Sequence, residues 1–231
     1  MTSSTGTEAK LAGHTDLAGF RSEATALLAH QVPPEDVHWQ LQPAEIYSDP
    51  QSPQASRPRN VARAATAIVP ASFTRLCEFV VLHRDTARFA LLYRLLWRLV
   101  HEPGLRNDPL DDDTLQAQHM AHAVRRDIHK MKANLRLRTV RDAQGQELQV
   151  GCYEPAHHVV EAVAPWFAKR VTAPRWAIFT PQRSVSGENG RLLFGPGVPA
   201  AQLPGPEGTD ADWLACHERV FAARGPSASD A

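Results

Sequence analysis

The sequence predicts an α+β fold: a helical N-terminal half, then a small antiparallel sheet with packed helices. Two observations carry this. Apolar residues recur at helical spacing through residues 71–131, then at every second position from Asn134 onward. A turn containing Gly145 separates two such alternating runs, as in a hairpin.

The elements follow in order. Met1–Lys10 is small and polar, so residues 1–14 are expected to form a disordered tail. Asp16–Gln31 reads as a helix, capped by Thr15 or Asp16, with Leu17, Phe20, Ala24, Leu27 and Leu28 on one stripe. Pro33 and Pro34 stop it, and Val37–Leu41 alternates like a strand. Residues 15–42 thus form a helix–strand unit. Residues 43–60 carry Pro43, Pro50, Pro53 and Pro58 among Gln, Ser and Ala, the composition of a linker.

A main α+β domain is expected over 61–224. Ala71–His83 places Phe73, Leu76, Cys77, Val80 and Val81 on one side of a helix, and Thr86–His101 repeats the pattern from Phe89 to Leu99. Leu110–Asp113 caps a third helix, Thr114–Lys132, whose stripe is Met120, Val124, Ile128 and Met131. Asn134–Val140 and Leu148–Cys152 are the hairpin strands, with Cys152 read as core. Pro155 opens a helix that Pro165 interrupts. Arg175–Thr180 and Arg191–Phe194 read as strands joined by a loop holding Ser184, Ser186, Gly187 and Gly190, and Asp210–Arg224 as a closing helix. Residues 225–231 form a second disordered tail.

Composition narrows the class. Three scattered cysteines, Cys77, Cys152 and Cys216, form no CxxC pair and no disulfide framework. No basic region precedes an apolar run at the N-terminus, and the most apolar segment, 89–100, is interrupted by Arg94 and Arg98. A cytoplasmic protein without membrane contact is expected.

The formal net charge is zero, yet Val124–Arg141 carries seven Lys/Arg against one Asp. Arg125, His129 and Lys132 share a helix face; Arg126 and Lys130 sit beside them; Arg136 and Arg138 continue the cations onto the strand. Forked Arg donors and point-charge Lys bind phosphate backbones in this way, and Tyr153 and Trp166 could stack on bases. The bland alternative is a solvated face, or pairing with Asp108 and Asp111–Asp113. The group His129, His157, His158 and Tyr153 is a candidate pocket with no assigned catalytic residue. His157 and Glu161 lack the second pair a metal site needs, so no metal or cofactor is expected. Ser184 and Ser186 lack a nucleophile elbow.

Several blocks carry a resemblance: "GFRSEATALLAHQVPPEDVHW", "IVPASFTRLCEFVVLHRDTARFALLYRLLWRL", "MAHAVRRDIHKMKANLRLR", "YEPAHHVVEAVAPWFAKR", "RWAIFTPQRS" and "LLFGPGVP". In this order, over about residues 15–220, they resemble a bacterial domain of unknown function associated with DNA metabolism and repair. That domain occurs alone, beside a radical-SAM partner, or fused ahead of a UdgX-type uracil-DNA glycosylase domain. Asn134 stands where the family has an aromatic, and Glu188–Gly190 where it often has W-D-G. The family also continues past "VF" into a further block that "ERVFAARGPSASDA" does not match. The resemblance implies a DNA-repair-associated nucleic-acid-binding accessory module. Alternatives are a protein-interaction domain for a glycosylase or radical-SAM partner, and an enzyme acting on damaged bases. It supplies no catalytic residues.

Overall fold

The structure, a computed structural model, describes residues 6–42, 69–205 and 207–221. The expected linker 43–60 and tail 225–231 lie outside these residues. Among the described residues are seven strands and six helices: β1 (Thr7–Leu11), α1 (Leu17–Ala29), β2 (Val37–Leu41), α2 (Ala71–Val80), α3 (Arg88–His101), α4 (Asp112–Asn134), β3 (Arg138–Arg141), β4 (Glu147–Cys152), α5 (Val160–Arg170), β5 (Arg175–Phe179), β6 (Arg183–Glu188), β7 (Arg191–Pro196) and α6 (Asp210–Phe221). The α+β class and the order of helices before the main sheet are as predicted. Among the described residues, no helix is long and apolar enough to cross a membrane.

The chain divides into two compact units, Met1–Arg126 and Asp127–Ala231. The division falls inside α4, within the stretch 61–224 that sequence treats as one domain. In the first unit β1 pairs parallel with β2, from Thr7 opposite Val37 to Leu11 opposite Leu41. Parallel strands need a crossover, and α1 supplies it. Within the tail expected over 1–14, Thr7–Leu11 is instead a strand: Ala9 and Leu11 alternate inward and are fully buried. Two apolar residues in five were too weak a signal of period two.

The α1–β2 pair does not stand apart. Phe20 and Trp39 pack on Phe89 of α3 at 5.8 and 6.0 Å between ring centres, and the Tyr93 hydroxyl donates to Val32 O at 2.6 Å. Burying side chains of this size contributes about 1.5–3 kcal/mol each. The start of α3 is fixed by Arg88, which is completely buried. Its guanidinium donates to the carbonyls of Val81, Asp85 and His14 at 2.8, 2.8 and 2.7 Å. It also lies 4.3 Å from the Phe89 ring centre. Burial, partly opposed by Asp85, lowers its pKa to about 10.

The second unit is a five-stranded sheet in sequence order, β3-β4-β5-β6-β7. The hairpin at Gly145 is present, with a φ of 77° that favours glycine. The sheet is not wholly antiparallel: β4 and β5 run parallel because α5 crosses between them. Three boundaries differ from the sequence reading. The strand begins at Arg138, not at Asn134. Pro155 precedes a loop, and α5 begins only at Val160 and continues through Pro165. Residues 183–188 form β6 rather than a loop; Ser184 and Ser186 are buried in it. Cys152, at the end of β4, is exposed rather than core. Ala177 and Phe179 of β5 join Val140, Leu148, Val150, Trp213 and Phe221 in one core. Gly187 is obligatory, since a Cβ there would lie 2.2 Å from the Trp176 ring.

Candidate functional site

The basic stretch belongs to α4 and to the segment after it. Two of the three Asp residues at the N-terminus of α4 are committed elsewhere. Asp111 Oδ1 accepts from the Thr114 N–H at 2.9 Å, and Asp111 Oδ2 pairs with Arg98 at 2.8 Å. Asp113 pairs with Arg94 at 2.6 Å and with Arg98 at 3.0 Å. The Arg94 hydrogen bond holds the Asp113 carboxyl below its ordinary range. Burial alone would raise Asp111, but the Thr114 N–H and Arg98 outweigh it and lower it as well. These carboxylates therefore do not pair with the cations at 125–138.

Those cations meet different surroundings. Arg125, the penultimate residue of the first unit, is exposed with its guanidinium carbon 4.1 Å from the Phe79 ring centre. Arg126, His129 and Lys130 are exposed and form no ion pair or hydrogen bond with any other described side chain. Lys132 is half-buried, with Nζ 5.5 Å from the Trp166 ring centre. Arg136 folds back over the C-terminal end of α4, donating to Ala133 O at 2.9 Å. A cation there complements the helix dipole. Arg138 turns to another element, donating to Gly208 O at 3.2 Å and approaching Asp210 at 3.5 Å. Arg136 and Arg138 thus diverge instead of sharing the strand face their i, i+2 spacing suggested, because only Arg138 lies in β3.

The sequence reading missed Asp127. It assigned the inward position of this turn to Ile128, which is apolar; Ile128 is half-buried and Asp127 is buried. Helix geometry explains this. At 100° per residue, Asp127 lies about 20° around the helix from Met120 and Ile128 about 80°. Asp127 Oδ2 accepts the backbone N–H of His157 at 2.9 Å. The Tyr153 hydroxyl meets the Asn134 side chain; burial first, and the Asp127 charge second, raise its pKa. Of the candidate pocket, Tyr153, His157 and His158 lie together on the segment between β4 and α5, with His157 buried and His158 half-buried. His129, two residues beyond Asp127, points away from it into solvent. A shallow cleft of about 160 Å³ in the second unit is lined by Trp176, Glu188, Asn189 and Arg191 among others, and by none of these four.

A second polar pair was also missed. Ser186 Oγ lies 3.2 Å from His217 Nε2 and donates to Trp176 O at 3.2 Å. The one hydroxyl proton can go to the Trp176 carbonyl, with Nε2–H then donating to Ser186, or to an unprotonated Nε2; the tautomer of His217 decides which. Burial, with Arg175 adding repulsion, lowers the His217 pKa to about 4.

Residues 86–191 match the model of a family described as a domain of unknown function (DUF4130). The match takes in just under half of the chain, including both the R-R-D-x-H-K-M-K block and the E-P-x-H-H block. Asp127 lies in the first of these and His157 in the second. Comparison with curated proteins and with solved structures gives no match.

Proposed function

We propose that this protein is a nucleic-acid-binding accessory module acting in DNA repair, which holds phosphates against the exposed cations of α4. One observation carries the reading. In a chain of zero net charge, Arg126 and Lys130 stay without carboxylate partners among the described residues. The carboxylate adjacent to them in sequence, Asp127, is taken by a backbone amide, and Asp111 and Asp113, about 20 Å or more away along the helix, pair with Arg94 and Arg98. Unpaired surface cations attract polyanions, and contact releases counterions. The repair setting, and a glycosylase-like or radical-SAM partner, rest on the sequence resemblance.

A second reading, an enzyme acting on a damaged base, draws on the buried carboxylate of Asp127 beside His157 and Tyr153. It needs an open pocket; Asp127 and His157 are buried, and none of the three lines the cleft of the second unit. A protein-docking role calls for an exposed apolar patch. Leu110 is the one strongly exposed large apolar side chain among the described residues.

The test is duplex and single-strand DNA binding across a salt series, with Arg126→Ala and Lys130→Ala combined. Weaker binding is expected, with the log–log salt slope reduced by about 0.7–0.9 per lost phosphate contact. The fold should persist, since exposed substitutions change stability by about ±0.5 kcal/mol. A folded double variant with unchanged affinity and slope removes this role from α4.

A further inference from the structure

The second unit carries a cationic cluster that the basic stretch alone does not reveal. Trp166, on α5, is half-buried and stands nearly perpendicular to Phe167, with ring centres 4.9 Å apart and planes at 87°. This edge contact fixes the orientation of the indole. Lys132 of α4 places Nζ 5.5 Å from the Trp166 ring centre, and Arg170 of α5 places its guanidinium carbon 5.6 Å away. Lys169 is exposed in the same last turn of α5 as Arg170. None of Lys132, Lys169 and Arg170 forms an ion pair with a described carboxylate.

We infer that the nucleic acid held by this unit is single-stranded, with one base stacked on Trp166 and the flanking phosphates on Lys132 and Arg170. This rests on the reading of the protein as a nucleic-acid-binding module and goes further in naming the strand form. Within a duplex both faces of each base are already covered by neighbouring bases. Only an unstacked base offers a free π-face to an aromatic side chain. The two cations lie near the outer limit of about 6 Å for cation–π attraction, so they are weakly held over the ring. Both sit on flexible stems, and either can swing from the indole to a phosphate as a base takes its place. A phosphate-only site would have no use for a half-exposed indole between two cations. A site for an acidic peptide would have no base to stack.

The experiment measures binding of the full chain to four probes by fluorescence anisotropy. These are an oligothymidylate of about a dozen nucleotides, its duplex, the same strand with abasic sites, and polyglutamate of equal charge. The oligothymidylate should bind at least about tenfold more tightly than the others. Trp166→Ala should weaken oligothymidylate binding about tenfold, with its salt slope unchanged, and leave abasic binding as it was. Trp166→Phe, which keeps an aromatic face in the same socket, should lose only part of this. Lys132→Ala with Arg170→Ala should instead lower the single-strand salt slope by about 1.4, at about 0.7 per phosphate. Salt-sensitive binding that is equal for duplex and single strand and indifferent to folded Trp166→Ala or Trp166→Phe overturns the single-strand inference and leaves the module reading intact. Equal binding of polyglutamate also overturns it, in favour of an acidic protein partner. Failure to bind any oligonucleotide at any salt overturns both.

Discussion

Acid should destabilise the second unit through one residue, His217. Burial against β6 and Phe221, with Arg175 nearby, lowers its pKa from 6.5 to about 4. The sign follows from proton uptake. Between these two values the unfolded chain binds a proton at this site and the folded chain does not, so stability falls as pH falls. The neutral ring's contribution is complete above about pH 6.5 and is lost progressively as pH drops towards 4. At about pH 5 the linkage relation gives a loss of about 2 kcal/mol relative to pH 7.5. That is a substantial part of the 5–15 kcal/mol typical of a whole domain, at roughly its usual size.

Urea denaturation at both pH values measures this, with His217→Gln as the comparison. A glutamine amide can still hydrogen-bond Ser186 Oγ, but it does not titrate. Wild type should lose about 2 kcal/mol more than the variant between about pH 7.5 and pH 5. Arg175→Gln, which removes the smaller of the two causes, should raise the His217 pKa only partway. Equal acid sensitivity in wild type and His217→Gln refutes the reasoning. So does a His217 ring proton that titrates near 6.5 in the folded protein.

Other perturbations have outcomes as definite. Arg88→Met should destabilise the first unit in denaturant melts by about 1–3 kcal/mol for each carbonyl left without a donor, and Arg88→Lys should recover only part of that. Asp127→Ala should destabilise by about 1.5–3 kcal/mol through the lost His157 N–H acceptor, and Asp127→Asn by less, since an amide oxygen can still accept. Removing the Asp127 charge should also lower the Tyr153 pKa in an ultraviolet titration, though not fully, because burial is the larger cause. Val124→Asp should unfold the protein as judged by circular dichroism, whereas Ile128→Asp should be milder because Ile128 is half-buried and Val124 fully so.

What could be seen in the sequence was what local spacing controls. The stripes of α2 and α3 are wide, and several of their residues reach zero or near-zero exposure, such as Val80 and Leu92. The hairpin was visible because Gly145 supplies a backbone conformation that other residues resist. The failures share a cause: a polar residue in a buried place reads as surface. Ser184 and Ser186 hid β6, and Asp127 hid the true centre of the α4 stripe. Asp127 and Ser186 find partners in the His157 N–H and His217, each about thirty residues away in sequence, whereas the buried Ser184 Oγ has none among the described residues. Pairing of surface charges is equally long-range. Arg138 looked like a neighbour of Arg136 until Asp210, far along the chain, drew it aside.

The same long-range commitments explain how a chain of zero net charge keeps a local excess of cations. Surface charges in a neutral protein usually find opposite charges nearby. Three carboxylates of this segment are held elsewhere. Asp111 and Asp113 are held by Arg94 and Arg98 on α3, in geometry too good to exchange for a solvated Lys. Asp127, placed between Arg126 and Lys130 in sequence, is buried and serves a backbone amide. The excess is therefore a product of where the carboxylates are fixed and not of composition. It follows that Asp111→Asn or Asp113→Asn should release Arg94 or Arg98 without adding to the cations at Arg126 and Lys130. A rise in oligonucleotide affinity in those variants would place the binding face on α3, and no change keeps it on α4.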